Sequence, residues 1–159
     1  MSHSKISSIN IQFAKDVDQH SLPSRAVLRS WARKSLKAMH VIGDLGIRFV
    51  DGTESKTLNS AYRKKDKPTN VLSFPYGWEC PETKRTILGD LVLCTDVLQQ
   101  EATAQGKSLE QHLAHLLIHG LLHLIGFDHQ TDDEAATMEQ KEIEILEQFG
   151  FPNPYGVQH

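Results

Sequence analysis

Residues Glu110 to His129 read E-Q-H-L-A-H-L-L-I-H-G-L-L-H-L-I-G-F-D-H, an apolar run that nevertheless carries His112, His115, His119, His123 and His129. Burying so many imidazoles is costly unless their ring nitrogens find partners, and a bound metal ion is one such partner. His119 and His123 stand at i and i+4, which in a helix puts both rings on one face, about 6 Å apart. Gly126 can end that helix in a positive-φ conformation, and Phe127 and Asp128 then carry the chain back so that His129 arrives at the same point. Three imidazoles with a fourth position left over is the pattern of a catalytic zinc site, with Zn–N distances of about 2.0–2.1 Å. His119, His123 and His129 are therefore read as ligands of Zn²⁺. His112 and His115 are read as hydrogen-bonded packing residues, because the ligand count is complete without them; His115, one turn before His119 on the same face, is a candidate to line the cleft.

The spacing matches the metzincin pattern H-E-x-x-H-x-x-G-x-x-H except at one position. Where a peptidase has its glutamate base, this chain has Gly120. Glycine takes no proton from water, so the ligand set points to a zinc-dependent hydrolase and away from a conventional peptidase.

The run H-G-L-L-H-L-I-G-F-D-H resembles the signature of the YbeY family of bacterial metal-dependent endoribonucleases. An upstream segment, residues 62 to 75, reads Y-R-K-K-D-K-P-T-N-V-L-S-F-P and is similar to that family's second motif, and Leu88-Gly89-Asp90 is similar to its third. The resemblance implies a zincin-like fold and a single-strand-preferring endoribonuclease acting in 16S rRNA maturation and ribosome quality control. Its implied partners are ribosomal RNA and ribosomal proteins. It also implies a catalytic role for Arg63, whose fork of donors suits a phosphate and the charge that builds on it during cleavage. Asn70 departs from the family's usual aspartate, which removes a carboxylate from that position. Two other readings stay open: a ribosome-assembly factor in which zinc is mainly structural, and a zinc peptidase or amidase, against which Gly120 counts.

The rest of the chain sets the frame. At 159 residues it suits one domain, residues 1–159, with a loosely held tail over 151–159. No charge-free apolar stretch is long enough to span a bilayer, and the N-terminus lacks a hydrophobic leader region, so a cytoplasmic protein without membrane attachment is expected. Cys80 and Cys94 are expected as free thiols. The net charge of −3 is unevenly spread: residues 1–75 hold thirteen Lys/Arg against six Asp/Glu, whereas residues 128–147 hold eight acids and one base. Such polarity suits a face that attracts phosphate.

Alternating Ile9, Ile11 and Phe13 predict a strand, as do Leu45–Val50, Val71–Phe74 (ended by Pro75) and Ile87–Cys94. Helices are predicted over 23–39, 53–62, from a Thr95 cap to Ala104, from Ser108 onward, and from Thr131 to Phe149 with Ala135, Met138, Ile143 and Leu146 inward. Arg25, Arg29, Arg33 and Lys37 recur every fourth residue and are read as a solvated face, with an RNA backbone contact as the alternative. Asp90, inside an apolar strand, needs a partner: a structural hydrogen bond, or a ligand histidine that it orients. The sum is an α+β domain, a mixed four-stranded sheet with about five helices.

Overall fold

The alternation at the start of the chain does form a strand: in β1 (Ile9–Phe13) Ile9 and Ile11 are buried while Asn10 and Gln12 face out. The computed structural model describes residues 7–127 and 130–155. After β1 come α1 (Arg25–Ala38), β2 (Asp44–Val50), α2 (Gly52–Arg63), β3 (Val71–Glu79), β4 (Thr86–Cys94), α3 (Thr95–Gln105), α4 (Leu109–Leu124) and α5 (Asp132–Gln148). The strands form one mixed sheet in the order β1-β2-β4-β3. β1 runs parallel to β2 and β2 to β4, and β3 closes the sheet antiparallel to β4. The expected α+β architecture of four strands and five helices is present.

Period-two patterning divides the sheet into two faces. Leu45, Ile47, Phe49, Leu91 and Leu93 point to the side of α1 and α4 and join the main core. Val50, Leu72, Val92 and Cys94 point to the other side, where Leu58 of α2 and Val97 of α3 cover them. α4 is apolar around most of its circumference, so it is the central helix; Leu113, Leu117, Ile118, Leu121 and Leu122 are fully buried.

Helix ends follow local chemistry. The Ser24, Asp51 and Ser108 side chains accept from backbone N–H groups of α1, α2 and α4, and Thr131 with Glu134 forms a complete capping box on α5. α4 stops in a Schellman turn: Phe127 N–H donates to Leu122 C=O, Gly126 N–H donates to His123 C=O, and Gly126 takes φ 112°.

Several sequence expectations give way to tertiary context. β3 continues through Pro75 to Glu79, because it is an edge strand and its register shifts between Pro75 and Trp78, where a residue without an N–H is tolerated. Thr95 opens α3 from inside the helix rather than capping it; Cys94 holds the cap position and the Thr95 hydroxyl donates to Val50 C=O. α5 buries Met138, Glu142, Ile145 and Leu146, a stripe one step round from the expected one. The arginines of α1 have backbone partners besides solvent: the Nε–H groups of Arg25, Arg29 and Arg33 donate to the carbonyls of Ile11, Ile9 and Ser7 at 3.5, 3.3 and 3.4 Å. They cover the open edge of β1, whose unpaired carbonyls would otherwise invite another strand.

Candidate functional site

The helical spacing of α4 stacks its histidines in sequence along one face. Ring centroids lie 6.3 Å apart for His112 and His115, 6.2 Å for His115 and His119, and 4.8 Å for His119 and His123. His119 and His123 open onto a cleft of about 740 Å³ between α4, the C-terminal end of α2 and β3. Arg63, the last residue of α2, lines the same cleft, so two of the three proposed zinc ligands share a cavity with the proposed phosphate-binding guanidinium. Arg63 is exposed and has no ion-pair partner among the described residues. The third proposed ligand, His129, lies outside the described residues.

Gly120 explains itself through packing. A Cβ there would come within 2.8 Å of Val71 Cγ2 and 3.2 Å of Leu91 Cδ2, so even a methyl group at this position would force the Val71 side chain to shift. The contact is sealed by the Ser73 hydroxyl donating to Gly120 C=O at 2.9 Å. The position that holds the base in peptidases is here a helix-to-sheet contact.

A carboxylate does reach the histidines, from an unexpected place. Glu142 of α5 is fully buried and meets His119 Nδ1 at 2.6 Å and His115 Nε2 at 3.0 Å, and the Tyr155 hydroxyl donates to it as well. Burial alone would push this carboxyl up, but hydrogen bonds from His115, His119 and Tyr155 outweigh it and hold the group down to about 2. Glu142 is therefore ionised and only accepts, which puts the His119 proton on Nδ1 and the ring's lone pair on Nε2. Burial, and then Glu142 itself, push the Tyr155 hydroxyl well above the ordinary phenol range, so it remains a donor.

The donor atoms of His115, His119 and Glu142 all lie within 4.8 Å of one another, a group that could hold a metal ion. Sequence reasoning missed Glu142 because it sits among the seven acids of an apparently solvated helix. The available signal was its place four residues after Met138, on the stripe that α5 buries.

The other candidates fall into place around this group. His112 is buried and bonded through Nε2 to Glu101 Oε1 at 2.8 Å, as a packing histidine should be. Asn70 donates from Nδ2 to both Glu101 oxygens at 3.2 and 3.3 Å, a contact that an ionised aspartate could not make. Asp90 points to the opposite face of the sheet, where the Tyr76 hydroxyl donates to it at 2.7 Å; it is a structural hydrogen-bond partner and does not orient a histidine. Gly89, beside it at φ 147°, lies so close to Phe74 C=O that a Cβ would fall 2.2 Å from that oxygen. Cys80 and Cys94 are free thiols.

Fold and site together define an α+β protein whose central helix presents histidines, backed by a buried carboxylate, to an open cleft beside an arginine. The chain belongs to the YbeY endoribonuclease family: the family model described as endoribonuclease YbeY matches residues 8–150. Membership makes it one of a family of RNA-cleaving hydrolases and supports an endoribonuclease role in rRNA processing. Among solved structures, it is similar to the solution structure of TM1509 from Thermotoga maritima, with 21% identity and a TM-score of 0.58 over 94% of this chain and 99% of that one. That likeness concerns the fold. Among the described residues, no helix is long and apolar enough to cross a membrane.

Proposed function

We propose that this chain, as one hydrolase domain over residues 1–159, is a zinc-dependent endoribonuclease that prefers single strands and acts in the cytoplasm. Its task is 16S rRNA maturation and ribosome quality control, with ribosomal RNA as substrate and ribosomal proteins as neighbours. The observation that carries the reading is the shared cleft: Arg63, His119 and His123 line one cavity, with Glu142 held behind His119.

The donor set fits zinc. Imidazole nitrogens are ordinary zinc ligands, and a carboxylate on the far nitrogen of a ligand histidine is its usual companion. His119, His123 and His129 would hold the ion, with Glu142 fixing the His119 tautomer. We take Glu142 as this outer partner rather than a ligand, because both its oxygens are already engaged by His115, His119 and Tyr155. When bound, the ion supplies Lewis acidity to the scissile phosphodiester and to the attacking water. Arg63 binds the phosphate and offsets the extra negative charge of the transition state. The cleft lining among the described residues includes no Asp or Glu, which suits a polyanion.

The test is cleavage of a defined single-stranded RNA by wild type, His119→Ala and Arg63→Ala at fixed zinc occupancy and several salt concentrations. His119→Ala should lose zinc retention and cleavage together, whereas Arg63→Ala should keep zinc and cut slowly. If purified His119→Ala cuts as fast as wild type, the site is wrongly assigned; wild type that retains zinc but cuts no RNA would favour a structural zinc in an assembly factor.

A further inference from the structure

Beyond α5 the chain turns back across α4. Phe151 packs edge-on against Trp31 with ring centroids 5.8 Å apart, and Tyr155 meets the His115 ring edge-to-face at 5.2 Å. The turn is shaped by Asn153, whose Oδ1 accepts from Tyr155 N–H at 2.7 Å. The phenol reaches the group behind the metal-binding histidines: its hydroxyl donates to Oε1 of Glu142 and lies 3.1 Å from His115 Nε2.

The two Glu142 oxygens thus have separate work. Oε1 is held by Tyr155 and His115, and Oε2 faces His119 Nδ1. A glutamate carboxylate swings freely about its last torsion, and bonds to one oxygen fix where the other points. We propose that Tyr155 is a positioning residue of the metal centre, which by holding Oε1 of Glu142 keeps Oε2 on His119 and so sets that ring's aim at the ion.

The inference rests on the reading of His119 as a zinc ligand. A tyrosine that only tied down the chain end would need its ring against His115, and phenylalanine would do that equally well. The hydroxyl is the distinguishing atom.

The experiment uses the full chain with Tyr155→Phe, Glu142→Gln, the double variant and His119→Ala. Zinc affinity is measured by competition with a chromophoric chelator, the visible spectrum is recorded with Co²⁺ in place of zinc, and melting of the metal-free protein monitors folding. Tyr155→Phe should weaken zinc binding by about tenfold, toward the lower end of what outer partners of ligand histidines contribute. It should alter the Co²⁺ bands, while the metal-free protein still melts cooperatively at a temperature lowered by the lost hydrogen bond to Glu142. On the Glu142→Gln background it should add nothing, because the two residues act as one unit. Unchanged zinc affinity and Co²⁺ spectrum in Tyr155→Phe would overturn the proposal, as would a loss that repeats in full on Glu142→Gln. If Glu142→Gln fails to fold, Tyr155→Phe alone decides. Wild type that binds no stoichiometric zinc, or His119→Ala that binds it as tightly as wild type, would instead remove the metal-ligand reading, and this proposal with it.

Discussion

Glu142 meets Nδ1 of His119 at 2.6 Å across the α4–α5 contact, though 23 residues separate them in the chain. The carboxylate is wholly enclosed, and three donors converge on it. A second helix thereby decides which nitrogen of an α4 histidine carries the lone pair.

Replacing Glu142 tests both parts of that relationship. Glu142→Gln should lower zinc affinity by about 10–100-fold, because a neutral amide holds the ring less firmly. Glu142→Leu should also cost at least about 1–3 kcal/mol in urea unfolding, since His115, His119 and Tyr155 would each keep a buried polar group without its partner.

Arg63 is exposed at the cleft rim, so its loss should leave stability within about 0.5 kcal/mol of wild type. Cleavage should fall by about 10²–10³ in kcat/KM for Arg63→Ala, and Arg63→Lys should recover only part, because a point charge replaces a two-pronged donor. Single-turnover RNA cleavage measures both.

Gly120 cannot accept the peptidase glutamate. Gly120→Ala should cost about 1–3 kcal/mol, since its Cβ would meet a Val71 methyl at 2.8 Å, and Gly120→Glu should cost more without creating peptide cleavage. Adding Val71→Ala to Gly120→Ala should restore part of the loss in denaturant unfolding. If Gly120→Ala were more stable than wild type by the full helix-propensity gain of about 1 kcal/mol, the close approach of α4 to β3 would be wrong.

The arginine row on α1 predicts a colloidal phenotype. With Arg25, Arg29 and Arg33 all changed to Ala, the carbonyls of β1 lose their covers and the strand edge should pair with another copy. Sedimentation velocity should show self-association that rises with concentration, and wild type should show none through this edge.

Acid should act in part through Asp44. The Arg85 guanidinium beside it holds its carboxyl below the usual carboxylate range, and the pair ties the turn before β4 to the start of β2. A carboxyl lowered by folding contributes stability above its unfolded value, near 3.8, that disappears as pH falls through the lower folded value. The stability gap between wild type and Asp44→Asn should therefore be constant above about pH 5 and shrink below about pH 4. A gap that widened on acidification would exclude this pair as its source.

Local signals carried far in this chain because helix ends and strand faces are written in neighbouring residues. Ser108 and Thr131 cap where a hydroxyl can reach the first free N–H groups, Gly126 ends α4 by taking positive φ, and Ile9 and Ile11 alternate because a strand has period two. The facing of His119 and His123 belongs to the same class: four residues of helix suffice to place them together. Tertiary structure alone decided the rest. Strand order, the role of the α1 arginines as edge covers, and the side of the sheet on which Asp90 lies all depend on which elements dock. So does the choice of Glu142 from the seven acids of α5: only the packing of α5 on α4 removes that one carboxylate from water and sets it against an imidazole. Hydrogen bonds within a turn of helix are determined by spacing, whereas contacts across helices are determined by burial, and burial is a property of the assembled fold.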